Sequence, residues 1–178
     1  MGHARLVLAW LGHAWLGHTS LGTSLVNGGR RKTERSPLEV AVGLLSRREH
    51  SARELKRKLE ARGIQSSEVD AALERLQKAG LQDEQRFAES LLRQRVMAGY
   101  GPYYLRAELA THGLAESLID QLIEQLTEAG EIDWTAVAAD LVKRRFSAGL
   151  SDPKQRRRAQ SLLHRRGFDA ETAREVLG

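Results

Sequence analysis

From Pro37 onward, apolar side chains recur every three to four residues, the period of a helix with one buried face. No strand-like alternation of useful length interrupts them. Glycines punctuate the runs at regular intervals: Gly63, Gly80, Gly99, Gly113, Gly130, Gly149 and Gly167. Each stands where a helix needs a left-handed residue after its last turn. The pattern predicts helices over 37–48, 51–62 and 66–79, then 83–98, 102–112 and 115–129, then 133–147, 153–166 and 169–177. Ser51, Ser66, Asp83, Asp133 and Asp169 are placed to accept from free first-turn amides. Pro37, Pro102 and Pro153 fit the first helical turn, where a missing N–H costs nothing. Asp83 and Asp133 also suit the positive ends of their helix dipoles, with Arg93, Arg95, Arg144 and Arg145 at the negative ends.

The helices repeat. Shifting the chain by 50 lays Leu55, Leu59, Gly63 and Ile64 on Leu105, Leu109, Gly113 and Leu114. The same shift lays Leu73, Leu76, Ala79 and Gly80 on Ile123, Leu126, Ala129 and Gly130. It also takes Asp83, Ala88, Leu91, Arg95 and Gly99 to Asp133, Ala138, Leu141, Arg145 and Gly149. A further shift of 54 carries Leu109, Gly113 and Leu114 to Leu163, Gly167 and Phe168. The expected fold class is therefore all-α: three tandem three-helix repeats over 37–80, 81–130 and 131–178. A three-helix unit of this size buries little apolar surface alone, so neighbours are expected to stack.

One polar residue breaks the apolar stripe in every unit. On a helical wheel Phe87, Ala88, Leu91 and Leu92 form one arc, and Arg95 falls inside it. Val137, Ala138, Leu141 and Val142 hold Arg145 in the same way, and Val40, Ala41, Leu44 and Leu45 hold Arg48. Two readings are open. The arginines contact an anion, or their stems pack on the core edge while their heads bond terminal carbonyls or a nearby carboxylate. Recurrence in every unit favours the second.

Charge narrows the function classes. The chain has 178 residues, no cysteine and a net charge of +5. Disulfides and cysteine-based zinc sites are thereby excluded. Residues 1–35 hold five basic side chains and one acidic, so +4 of the total lies in the tail. The body is uneven: +2 over 36–80, −4 over 81–130 and +3 over 131–178. Basic ends around an acidic middle suit a protein partner as well as a polyanion.

The tail has its own pattern. "AWLGHAWLGH" (9–18) repeats a pentapeptide, and a Gly-, Ser- and Arg-rich run follows it. Its apolar stretch is too short and too interrupted for a membrane span, and only faintly like a signal peptide. "MGHARL" lacks the Ser or Thr of a myristoylation signal. Residues 1–36 are expected to be a disordered extension, or one added by a start assigned too far upstream.

No catalytic role, metal or cofactor is expected. The histidines show no metal-ligand spacing: His13 and His18 lie in the tail, and His50, His112 and His164 stand near predicted helix ends as capping or exposed residues. There is no Gly-Lys-Ser/Thr phosphate loop and no Gly-x-Ser-x-Gly elbow. The stretch "AGYGPYYLRAELATHG" (98–113) suggests phosphate binding at a helix start, but its glycines occupy repeat positions that punctuate helices elsewhere. Tyr100, Tyr103, Tyr104 and Arg106 have no aromatic counterparts in unit one, so they are candidates for partner contact or for packing between units.

Three stretches carry a family resemblance. "LLSRREHSARELKRKLEARGI" (44–64), "LQKAGLQDEQRFAESLLRQR" (76–95) and "GYGPYYLRAELATHGL" (99–114) together resemble the RecX family, regulators of the RecA recombinase. Similarity covers about 37–178. The tail departs from the family pattern, and unit three is looser, with extra residues around "DPKQRRRAQ". The resemblance implies an elongated, curved arrangement of the three units. It implies binding along the groove of the RecA–DNA filament, with its ATPase and strand exchange held down. It also implies a small cytoplasmic protein, expected to be monomeric, that touches DNA without sequence preference.

The alternative from charge alone is a sequence-tolerant DNA-binding protein built of helix-turn-helix-like units. Candidate contacts for either reading are Lys56, Arg57 and Arg62 in unit one. In unit three they are Lys143, Arg144, Arg156, Arg157, Arg158, Arg165 and Arg166. Each single residue can equally belong to a solvated helix face. A third reading is a scaffold whose acidic middle (Glu108, Glu116, Asp120, Glu124, Glu128) meets a basic protein surface.

Overall fold

The computed structural model describes residues 35–147 and 149–178. The described residues form helices and connecting turns, without a strand. Unit one contains α1 (Pro37–Leu45), α2 (Ala52–Glu60) and α3 (Ser66–Lys78). Unit two contains α4 (Glu84–Met97), α5 (Pro102–Thr111) and α6 (Glu116–Glu128). Unit three contains α7 (Trp134–Arg145), α8 (Pro153–Arg165) and α9 (Ala170–Leu177).

The repeat glycines do what the sequence required of them. Gly63, Gly113 and Gly167 end α2, α5 and α8 at φ of 81°, 86° and 85°. That left-handed conformation costs an L side chain about 1–2 kcal/mol. Ser51, Asp83, Asp133 and Asp169 each accept a first-turn amide. Ser66 does not: Gln65 occupies the cap of α3, and the Ser66 hydroxyl donates to Glu60 at 3.1 Å. Two caps went unread. Asp152 caps α8, and Ser36 with Glu39 forms a reciprocal box on α1. Of the expected tail, all but Arg35 and Ser36 lies outside the described residues.

Each unit has its own apolar core. Ala41, Leu55, Leu59, Val69, Leu73 and Leu76 fill the first. Phe87, Ala88, Leu92, Leu105, Leu109, Ile119, Leu122 and Ile123 are among those filling the second. Ala138, Leu141, Val142, Ala159, Leu163, Phe168 and Ala173 fill the third. A fully buried Leu is worth about 1.5–3 kcal/mol, so the leucines aligned by the repeat carry much of the stability. Trp134 packs against both the second and third cores.

Units join in series. At the first junction Glu84 accepts the α2 amide of Ala52 at 2.8 Å, so a side chain of unit two satisfies a free amide of unit one. Arg53 donates to the Thr111 carbonyl, and the Ser51 hydroxyl meets the His112 ring. Arg86 clamps Glu49 and the carbonyls of Gly80 and Leu81. His50 therefore differs from the expectation of an exposed or capping residue. It is 2% exposed, its Nδ1 meets the Arg48 carbonyl, and its Nε2 meets Lys58. Burial lowers its pKa.

At the second junction backbone meets backbone. The Gly101 amide donates to the Arg166 carbonyl at 2.7 Å, and the Tyr103 amide to Gly167 at 3.1 Å. A Cβ on Gly101 would lie 2.5 Å from the Gly167 carbonyl oxygen, and one on Gly167 would collide with the Tyr104 amide. Among the described residues, no hydrogen bond or ion pair joins unit one to unit three.

Candidate functional site

The core-edge arginines separate into two cases. Arg48 bonds Glu54 through both terminal nitrogens, at 2.5 and 3.0 Å. Burial pushes the Glu54 carboxyl up, but hydrogen bonds from Arg48 and Lys58 outweigh it and hold the pKa at about 2. Arg95 grips Glu108 in a fork, at 2.7 and 2.6 Å, and that bond raises its pKa. In these two units the arginine closes helix one onto helix two, as the structural reading required. Arg145 has no hydrogen bond or ion pair among the described residues. Of the two roles the sequence offers it, the core-edge one favoured there finds no bonded carboxylate among the described residues.

The unit-one candidates are dispersed. Lys56 is engaged with Asp70 at 2.6 Å, a bond that raises its pKa. Arg62 folds back onto the Lys58 carbonyl, and Arg57 is exposed. Arg106 pairs with Asp120 at 2.6 Å and lies over the Tyr103 ring.

The tyrosines line the second junction. Tyr100 and Tyr104 stack with ring centres 4.1 Å apart. Arg166, from the end of α8, lies over the Tyr100 ring at 4.2 Å and donates to the Ala98 carbonyl. These contacts bind unit three to unit two across the join. Tyr103 points away and is 59% exposed; Met97, the last residue of α4, is 79% exposed.

Beside this join lies a basic part of the surface. Arg145, Arg158, Arg165 and Arg166 line an open hollow of about 700 Å³, with Phe146 and Leu162 as its apolar part. A second hollow of about 260 Å³ shares Arg145 and Arg166 and adds Arg144. No acidic side chain lines either one. The structure thus brings together four sequence candidates (Arg144, Arg158, Arg165, Arg166) around the core-edge Arg145. Lys143, Arg156 and Arg157 are exposed outside the lining, Arg156 bonding the Leu150 carbonyl. Such an arrangement attracts anions; it offers no nucleophile–base pair. Among the described residues, no group of three or more His, Asp or Glu is placed to hold a metal. No helix there is long and apolar enough to cross a membrane.

Comparison with known proteins agrees with this architecture. The family descriptions "RecX, first three-helix domain", "RecX, second three-helix domain" and "RecX, third three-helix domain" match residues 38–76, 83–123 and 131–177. The "Regulatory protein RecX" of Stenotrophomonas maltophilia (strain K279a) is 51% identical over 147 residues, covering 83% of this chain and 88% of that protein. Its namesake in Xanthomonas campestris pv. campestris (strain B100) is 50% identical over 146 residues, covering 82% and 88%. A crystal structure of RecX from Lactobacillus salivarius superposes with a TM-score of 0.63 at 16% identity, over 79% of this chain and 92% of that one. A second, of a regulatory protein RecX, gives 0.63 at 22% identity, over 79% and 72%. At those identities the two structures speak for the fold alone. The three matches in order, with half the residues identical to its relatives over most of their length, place the chain in the RecX family.

Proposed function

We propose that this protein binds the RecA filament together with the DNA it carries, and restrains the filament's ATPase and strand exchange. The observation that carries the reading is the full set of three RecX domains in order on one chain, shared with relatives named regulatory proteins RecX. The serial junctions support it physically. Among the described residues, hydrogen bonds and ion pairs join each unit only to its neighbour in sequence, and such a serial body suits a partner that is itself a repeating polymer. The charge supports it too: basic outer units flank an acidic middle, so protein and polyanion surfaces can be met by one body. The outer candidates for DNA are Lys56, Arg57 and Arg62 at one end, and Lys143, Arg144, Arg156, Arg157, Arg158, Arg165 and Arg166 at the other. Tyr103 and Arg106 of the middle unit, with Met97, are candidates for the recombinase. The protein then acts in the cytoplasm, where the filament forms.

The test is ATP hydrolysis by RecA on single-stranded DNA, with and without the full chain. The expected result is a rate that falls as the protein is added. If the rate is unchanged while the protein binds bare DNA, the regulator reading fails and a sequence-tolerant DNA-binding protein replaces it.

A further inference from the structure

We infer that the arginine hollow of unit three is a phosphate-binding site for a nucleic-acid strand, made by loss of the carboxylate that neutralises its counterpart in units one and two. The inference rests on the DNA-binding part of the proposed function and assigns it to a place.

The argument comes from the repeat register. Arg48, Arg95 and Arg145 each follow a buried alanine by seven residues: Ala41, Ala88 and Ala138. Each faces two positions on the second helix of its unit, one turn apart. In unit one these are Glu54 and Lys58, the residues before the buried Leu55 and Leu59. In unit two they are Tyr104 and Glu108, before Leu105 and Leu109. In unit three they are Arg158 and Leu162, before Ala159 and Leu163. Units one and two therefore supply one carboxylate each, from different positions, and both reach their arginine. Unit three supplies none. It places another guanidinium where Glu54 stands in unit one, and Arg158 and Leu162 both line the hollow with Arg145.

The electrostatics follow. Four guanidiniums around one open cavity repel each other and gain from an anion between them. The fork of a guanidinium matches two phosphate oxygens at once. Arg166 is anchored by the Ala98 carbonyl and the Tyr100 ring, so part of its ordering cost is already met. Phe146 and Leu162 give the hollow an apolar part against which a sugar or base face can rest. An isolated patch of surface lysines would lack this combination. Phosphates presented along a strand and phosphates of a free nucleotide share the same chemistry, and the test separates them.

Arg158→Glu restores the unit-one arrangement by giving Arg145 a partner. Lys154→Glu makes the same charge change one helical turn away, at an exposed position outside the hollow. Binding of a short fluorescent single-stranded oligonucleotide to the full chain is measured by anisotropy over a salt series. For Arg158→Glu we expect affinity to fall about tenfold or more, and the log–log salt slope to become shallower by about 1.4, the value for two lost phosphate contacts. For Lys154→Glu the slope change is expected to be less than half of that. Equal effects of the two variants overturn the site. Should Arg158→Glu melt early, Arg165→Gln, at an exposed residue, is expected to show the same loss in weaker form; unchanged binding by it overturns the site. ATP is added as competitor: weak competition supports a strand site. Strong competition that Arg158→Glu abolishes, with strand binding intact, overturns it in favour of a nucleotide pocket. RecA is absent throughout, so failure here is distinct from an unchanged ATPase, which sinks the regulator reading alone.

Discussion

Replacing Gly167 by alanine attacks the second junction at its backbone. Two costs add. The residue sits at φ 85°, where a Cβ costs about 1–2 kcal/mol. That Cβ would also collide with the Tyr104 amide and lie 2.7 Å from its Cβ and 2.9 Å from its Cα. Relieving such overpacking costs about 1–3 kcal/mol. Separating the two segments enough to do so breaks the Tyr103–Gly167 hydrogen bond, worth about 1 kcal/mol. The expected loss for Gly167→Ala is about 3–6 kcal/mol. Two companions divide the sum. Gly130→Ala, at φ 70° with no atom within 4 Å of the new Cβ, carries only the backbone part, about 1–2 kcal/mol. Gly101→Ala, at an ordinary φ of −93° but 2.5 Å from the Gly167 carbonyl oxygen, carries the contact with little backbone strain. An alanine cap in place of glycine adds about 0.5 kcal/mol there. Urea unfolding followed by helical circular dichroism reads all three. Gly167→Ala is expected to unfold earliest and to split the transition, as unit three loses its neighbour. If Gly167→Ala and Gly130→Ala lose the same stability, the junction contributes nothing and the backbone argument is wrong.

Acid should weaken the closure of α1 onto α2 in unit one. Glu54 has a folded pKa of about 2 against an ordinary 4.5, so its stabilisation is complete above pH 4.5 and is lost as pH falls through about 2. At neutral pH this amounts to about 3 kcal/mol before solvent around half-exposed Arg48 screens part of it. Glu54→Gln should therefore unfold more easily than the parent at pH 7, with the gap closing below pH 4.5; a constant gap in urea midpoints refutes the assignment. His50, whose pKa is lowered by burial, favours the folded state above pH 6.5 and opposes it below. The Arg95–Glu108 fork should show a coupling of about 1 kcal/mol in a double-alanine cycle. DNA and filament affinity should follow only the melting; lost binding with unchanged melting of Arg95→Ala would favour an anion contact at that residue. Asp152→Ala should cost about 1 kcal/mol through its lost cap on α8, read in the same unfolding assay.

Much of the architecture was legible because it is encoded locally. A helix needs an apolar stripe, a cap and a stop, and each is a property of a few neighbouring residues. Leu55 and Leu59 repeat as Leu105 and Leu109, and the glycine ending each helix recurs at the same distance, so period and stop could be read together. The misread positions are those whose partners lie on another segment of the chain. Ser66 looks like a cap but faces Glu60, while His50 looks like an exposed end residue yet is buried beside Lys58. In the sequence, the tyrosines of 100–104 fit two roles. Only the meeting of α5 with the end of α8 shows that Tyr100 and Tyr104 lie in the join and Tyr103 outside it.

The candidate site divides in the same way. Sequence alone set the number and order of helices and the presence of an arginine at the inner edge of each unit, because both follow from period and spacing along one chain. Whether that arginine is neutralised depends on a second helix, whose carboxylate sits at different repeat positions in units one and two and is missing in unit three. The tertiary structure decides this, since an ion pair is set by distance in space and the partner can come from either of two adjacent turns. The same spatial fact turns Arg145 from a core-edge residue like Arg48 and Arg95 into the centre of a basic hollow.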